Sequence, residues 1–190
     1  MKYEDDNFYI SKVVNGDVSS FAYLIEKHKD LVFTIAYKIV KNREDAEEIS
    51  QDSFLKIFRS LSSFKGEAKF ATWLYRIVYN TAISKTRKKA LEWTVLDDTI
   101  INNFTEDEIS INVDYLSDDE QFKFMNRAIN ELPDNESLLL TLFYKNNNTI
   151  EEIAEITGLS SSNVKVKLHR IRKKLYDSIC EITQNKMTVY

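Results

Sequence analysis

Between Ser160 and Leu175 the chain carries six lysines and arginines and no aspartate or glutamate. The protein as a whole has 190 residues and a formal net charge of -4, so this stretch is no average of its surface. Positive charge gathered on one segment is what a phosphate backbone attracts. The residues leading into it have the parts of a helix-turn-helix. Ile150, Ile153, Ala154 and Ile156 make an apolar helical face, Gly158 can turn the chain, Leu159 is expected to plug the core, and Ser160 can cap a second helix. In that second helix Val164, Leu168, Ile171 and Leu175 are expected to face inward. Ser161, Ser162, Asn163, Lys165, Val166, Lys167, His169, Arg170 and Lys174 are left outward or flanking. Small polar side chains at the start of such a helix permit close approach to a DNA groove. Lysine and arginine supply phosphate contacts, and Asn163 or Lys165 can reach base edges. His169 has no second ligand nearby in sequence, so no metal site is expected.

A second stripe suits unpaired nucleic acid. Lys69, Trp73, Arg76, Asn80 and Arg87 recur on one helical face, while Phe70, Leu74, Ile77, Val78 and Thr81 form the stripe assigned to a core. Aromatic faces stack on bases and cations follow phosphates. Phe64, Lys65 and Gly66 precede this helix and could rim a pocket for an extruded base. Two readings of Trp73 stand side by side, a stacking platform or one more core aromatic. Lys85 to Lys89 read either as phosphate contacts or as a solvated helix end.

A third surface lies earlier. Ala46, Ile49, Phe54, Ile57, Phe58 and Leu61 can serve a core, leaving Asp45, Glu48, Gln51, Asp52 and Arg59 on the other side with Leu55. An apolar residue framed by charges has the composition of a protein-binding face. Taken alone, this helix would pass for a solvated one with a stray leucine.

These surfaces need helices to carry them. Three glycines and one proline favour long helices over sheets and tight turns. Phe21, Leu24, Ile25, His28, Leu31, Val32, Ile35, Ala36 and Ile39 recur at helical spacing, with Asp17 or Ser19 as a possible cap. Asn42 ahead of Glu44 and Asp45 predicts a helix start, with that helix running to about Leu61 and the next from about Lys69 to Lys88. Ser117 and Glu120 fit a capping box, and the helix they open should stop at Pro133. Another covers Glu136 to about Tyr144, and Thr149 with Glu152 forms a second capping box after a turn at Asn146 to Asn148.

Charge marks the domain plan. Residues 90–122 hold ten acidic residues and no basic one, between two mildly basic blocks. The expected fold is all-α: two small helical domains, 1–89 and 117–190, joined by an acidic linker, 90–116. From composition the linker reads first as a solvated spacer that repels itself, and second as a nucleic-acid mimic lying in a basic channel of a partner. A single cysteine, an acidic N-terminus without an apolar run, and no stretch near the ~20 apolar residues of a membrane span point to a cytoplasmic chain with no membrane insertion. With two histidines and no glycine-rich phosphate loop, no catalysis and no cofactor are expected.

In this order the surfaces resemble the extracytoplasmic-function (ECF) group of bacterial RNA polymerase sigma factors, of the sigma-70 family. The run from Asp45 to Phe54, followed by Phe64, Lys65, Gly66 and by Thr72 to Asn80, is its most specific part, and the likeness extends from about Phe21 to Ile179. It implies a promoter-specificity subunit that binds core RNA polymerase. Asp45, Glu48, Gln51, Asp52 and Leu55 would engage the clamp helices of the largest subunit. Phe64, Lys65, Gly66 and Asn80 would hold an unpaired base of the minus-ten element, with Lys69, Arg76, Arg87 and Lys88 on that DNA and Trp73 beside them. Ser161, Ser162, Asn163, Lys165, Lys167, His169 and Arg170 would dock on the minus-thirty-five element. The resemblance also implies that the linker threads polymerase toward the RNA exit path, and that an anti-sigma protein holds the chain inactive. The family often has arginine where Lys165 and Lys167 stand. Lysine lacks the planar fork that reads guanine, which makes phosphate contact the expectation for both.

Overall fold

The computed structural model describes residues 5–86, 128–129 and 131–187, and the side chains of these except at 179 and 181–187. The linker 90–116, the capping box at Ser117, most of the helix it opens, and Arg87 and Lys88 lie outside the described residues. In chain order the elements are α1 (Asp6–Val14), a 3-10 turn (Val18–Ser20), α2 (Phe21–Val40), α3 (Arg43–Ser60), a 3-10 turn (Leu61–Ser63) and α4 (Phe70–Lys85). Then come α5 (Asp134–Leu140), a π-helical turn (Thr141–Lys145), α6 (Ile150–Thr157) and α7 (Ser161–Met187). Among the described residues there is no strand, and the all-α expectation holds. The chain divides into two compact units.

In the first unit α2, α3 and α4 pack pairwise on one another. Their shared core is Leu24, Val32, Ile35 and Ala36 from α2, Ala46, Ile49 and Ile57 from α3, and Leu74, Val78 and Ala82 from α4. Removing such side chains from water is the main favourable term in forming the bundle. Asn42 opens α3 as its sequence predicts: its side-chain oxygen accepts the Asp45 backbone N–H at 3.0 Å. A bond of this kind is worth about 1 kcal/mol. The joint before it is tight. Lys41 ends α2 in the left-handed region at φ 58°, and its N–H returns to the Tyr37 carbonyl.

Several expectations give way here. Neither Asp17 nor Ser19 caps α2. Asp17 instead accepts the hydroxyls of Ser19 and Ser20, which hold its carboxyl below the ordinary value. Short local side-chain bonds compete with the cap. Phe58 is not a core residue. Ile57 takes the inward position, so Phe58, one residue round the helix, rests edge-on against Phe21 at 5.1 Å and stays 36% exposed. On α4 the buried stripe includes Tyr75 and Tyr79, while Ile77 is only half-buried. A helix wedged between two others buries a wide face, and here that face is centred away from Ile77. The helix α1 has no counterpart in the sequence reading. It buries Ile10 and Val13, packs on α2, and stacks Tyr9 on Tyr23 with centroids 4.7 Å apart.

In the second unit Pro133 has helical residues before it and precedes α5, as a residue without an N–H should. Leu138, Leu139, Leu142, Val164, Leu168, Ile171 and Leu175 are buried. The capping box forms both of its bonds. Glu152 N–H donates to the Thr149 hydroxyl at 3.2 Å, and Thr149 N–H donates to the Glu152 carboxylate at 2.8 Å. Gly158 turns the chain at φ 75°, a region where any Cβ is strained even with open space around it. Ser160 accepts the Asn163 N–H at 3.2 Å and so caps α7. Leu159 is half-buried rather than a core plug, and Val166 is buried rather than outward. An isopropyl group flanked by two ammonium groups is the one member of Lys165, Val166 and Lys167 that gains by leaving water.

Candidate nucleic-acid interface and acidic docking face

The fold turns the α4 stripe outward. Lys69, Arg76 and Asn80 are exposed and Trp73 is half-buried, all along one side of the helix. Lys65 and Gly66 are exposed at its N-terminal end, where Gly66 has φ 73°. The two readings of Trp73 merge. Its ring meets Phe64 at 5.3 Å and Phe70 at 5.9 Å, and Phe64 meets Phe70 at 5.6 Å, so the three form one aromatic cluster. One part of the indole is packing and the rest is open to a stacking partner. Asn80 lies at the far end of the stripe, about 15 Å along the helix axis from Phe70 at ~1.5 Å per residue.

On α3 the structure gathers the expected acidic face. Asp45, Glu48, Gln51 and Asp52 are all exposed, and Leu55 among them is 53% exposed. Phe58, one turn further, extends this apolar spot. It belongs to the group sequence reasoning missed, since an apolar residue next to a core position reads as core until the helix is seen in place. Lys85 on α4 also reaches this face. Its Nζ lies 2.5 Å from the Glu48 carboxylate. Glu48, followed by the charges of Asp45 and Asp52, holds that ammonium above its ordinary value. The pair is exposed, so its own contribution to stability is small. Lys56 donates to the Thr81 hydroxyl at 3.1 Å and ties α3 to α4.

On α7, Ser162 and Lys165 are exposed, while Ser161, Asn163, Lys167, His169 and Arg170 are half-buried. Lys167 differs from Lys165. Burial lowers its pKa from the ordinary value against the nearby charge of Glu136 on α5, with Arg170 and Lys174 adding to the lowering. Lys174, one heptad on, bonds Glu136 at 2.5 Å. Lys167 therefore sits at the α5 edge of the helix, away from Lys165. Arg172 is a basic residue that sequence reasoning passed over. Its Nε donates to the Tyr144 hydroxyl at 2.8 Å, and its guanidinium lies over Phe143 at 5.4 Å and Tyr144 at 5.7 Å. The signal was the adjacent aromatic pair, and the π-helical turn is what presents it. Among the described residues no group of three or more histidine, cysteine, aspartate or glutamate side chains could hold a metal ion. No helix there is long and apolar enough to cross a membrane.

The family Sigma-70 region 2 matches residues 24–92, and the family Sigma-70, region 4 matches residues 125–175. The chain is 31% identical over 149 residues to RNA polymerase sigma factor SigV of Bacillus subtilis, covering 78% of this chain and 84% of that protein. It is 28% identical to ECF RNA polymerase sigma factor SigW of the same organism, over 88% of this chain and 95% of that one. It is also 27% identical to ECF RNA polymerase sigma-E factor of Escherichia coli, over 92% of this chain and 94% of that one. Among solved structures its fold resembles CnrH in complex with the cytosolic domain of CnrY, with TM-score 0.59 and 18% identity over 90% of this chain and 95% of that one. It also resembles RpoE in complex with the anti-sigma factor NepR from Bartonella quintana, with TM-score 0.57 and 21% identity over 84% and 96%.

Proposed function

The chain belongs to the ECF group of the sigma-70 family, promoter-recognising subunits of RNA polymerase in transcription initiation, and from that premise we propose how its residues divide the work. Residues 1–89 form the unit that binds core polymerase and the minus-ten element, 90–116 the linker, and 117–190 the unit for the minus-thirty-five element. Asp45, Glu48, Gln51, Asp52 and Leu55, joined by Phe58, dock on the clamp helices of the largest subunit. The observation that carries this is the presence of two chemically distinct surfaces on one small bundle. An acid-rimmed apolar spot lies on α3 and a cationic stripe with an aromatic cluster lies on α4.

Phe64, Lys65, Gly66 and Asn80 hold an unpaired base, with Trp73 as the stacking surface. Lys69, Arg76, Arg87 and Lys88 follow the phosphates of the opened strand. On α7, Ser161, Ser162, Asn163, His169 and Arg170 with Lys165 meet the upstream element, and Lys167 contributes less because it leans toward Glu136. Contact at two separate sites gives promoter specificity that neither unit supplies alone. The protein works without turnover of its own, in the cytoplasm where polymerase is. An anti-sigma protein restrains it, a reading supported by the structural neighbour RpoE, which is in complex with the anti-sigma factor NepR.

Run-off transcription with core polymerase on a genomic library, with and without the protein, tests this reading. New start sites sharing two spaced elements are expected. An unchanged set of starts would refute it.

A further inference from the structure

A polar chain runs from exposed Lys27 through half-buried Asp6 to the buried His28 and Tyr75 in the first unit, beside the aromatic cluster. Lys27 donates to the Asp6 carboxylate at 2.7 Å, and the same carboxylate lies 3.4 Å from His28 Nε2. His28 is 5% exposed, and its Nδ1 stands 3.1 Å from the Tyr75 hydroxyl. A carboxylate can only accept, so Nε2 carries the ring proton toward Asp6. In the neutral ring Nδ1 is then left to accept from Tyr75. Burial, and then the charge of Asp6, pushes the Tyr75 phenol up from its ordinary value of 10.0, so it keeps the proton it donates. The ring also packs edge-on against Phe70 at 5.7 Å. Phe70 in turn touches both Phe64 and Trp73. Three helices thus meet at one imidazole: α1 through Asp6, α2 through His28 itself, and α4 through Tyr75 and Phe70.

An apolar side chain of similar size would fill this space. A ring with bonds at both nitrogens does more, because it fixes its own plane and therefore the wall that Phe70 leans on. We propose that His28 is a positioning residue for the unpaired-base platform, held in plane by Asp6 and Tyr75 so that Phe70, Phe64 and Trp73 keep one arrangement. The helix α1 is then a brace for the DNA site, although it carries none of that site's own residues. This rests on the assignment of α4 to the opened minus-ten strand.

The test uses full-length protein with Trp93→Phe, which leaves Trp73 as the only tryptophan of the two. His28→Phe, Tyr75→Phe and His28→Gln are made in that background. Three quantities are read: affinity for core polymerase, acrylamide quenching of Trp73 in the free chain, and holoenzyme binding to a fluorescein-labelled single strand. That strand covers the melted region of a promoter mapped by run-off transcription. His28→Phe is expected to keep core affinity, raise Trp73 quenching and weaken strand binding by about tenfold, the scale of one base stack. Tyr75→Phe moves the same two readouts in the same direction. His28→Gln, which can donate and accept, recovers most of both losses, a rescue that simple filling of space would not give.

If His28→Phe does not fold, Tyr75→Phe, which keeps the ring, decides alone. Folded variants with unchanged quenching and unchanged strand binding overturn the proposal. If the parent holoenzyme itself ignores the strand, the assignment of α4 to DNA fails instead. Trp73 quenching then still reports whether His28 sets the platform.

Discussion

The Lys85 ammonium and the Glu48 carboxylate face each other at 2.5 Å, joining the last turn of α4 to the acidic face of α3. The contact neutralises, inside the free protein, one of the charges that a basic partner would need. Exposed pairs of this kind are weak and screened by salt. Lys85→Ala is therefore expected to tighten binding to core polymerase by about threefold at low ionic strength, with the gain fading as salt is raised. Fluorescence anisotropy titrations at two salt concentrations would measure it. Weaker binding in the variant would mean that Lys85 itself touches polymerase.

Leu55 and Phe58 should behave as an apolar pair in the interface. Truncating either to alanine is expected to cost about 1–2 kcal/mol of core binding, the range of a good interface contact. Charge reversal with Asp52→Arg should weaken core binding as well. Competition for core against a labelled sigma factor gives the binding loss, and thermal unfolding checks that the exposed Leu55 and Asp52 sites leave the fold intact.

The two lysines at family arginine positions should separate. Lys165→Ala and Arg170→Ala together are expected to lower the salt dependence of upstream DNA binding by about two counterions, one for each phosphate contact. Lys167→Ala should change that slope less, because Lys167 is half-buried toward Glu136. Equal slopes for Lys165→Ala and Lys167→Ala would show that Lys167 turns outward on DNA.

Acid stability should depend on Asp6. Burial raises its pKa, yet the bonds from His28 and Lys27 outweigh that and leave it below 3.8. A depressed folded value stabilises the native state above the unfolded pKa. That contribution is lost as pH falls below 3.8 through the folded value. Asp6→Asn should therefore lower stability at neutral pH and flatten the loss of stability on the acid side. Urea unfolding across pH 2–7 measures both limbs, and a parallel shift of the whole curve would exclude a titrating role.

The turn between α6 and α7 offers a backbone test. Gly158→Ala places a Cβ at φ 75° and is expected to cost about 1 kcal/mol or more. Thr149→Ala removes one bond of the capping box and is expected to cost about 1 kcal/mol. Unfolding of the isolated variants by circular dichroism would show both losses.

Much of the plan was legible in the residues. Asn42, the Thr149 and Glu152 pair, Gly158 and Ser160 act through bonds or dihedrals within a few positions of themselves, so local sequence is enough to place them. The acidic face and the α4 stripe were readable because exposure follows helical spacing. What was hidden depends on contacts between distant segments. Phe58 is exposed because Ile57 wins the inward position against α2 and α4. Lys85 joins an acidic face 37 residues back in sequence. His28 reads as one more member of an apolar run, and only the packing of three helices shows it bonded at both nitrogens.

The helix α4 runs unbroken for 16 residues, with Trp73 near one end and Lys85 at the other. It is a rigid rod on which the aromatic cluster at one end and the Lys85 ammonium at the other keep a fixed rotational phase. One inserted residue between them would turn either group by about 100° relative to its counterpart. The spacing between these two ends is therefore set by helical pitch, and changes in loop length elsewhere leave it untouched.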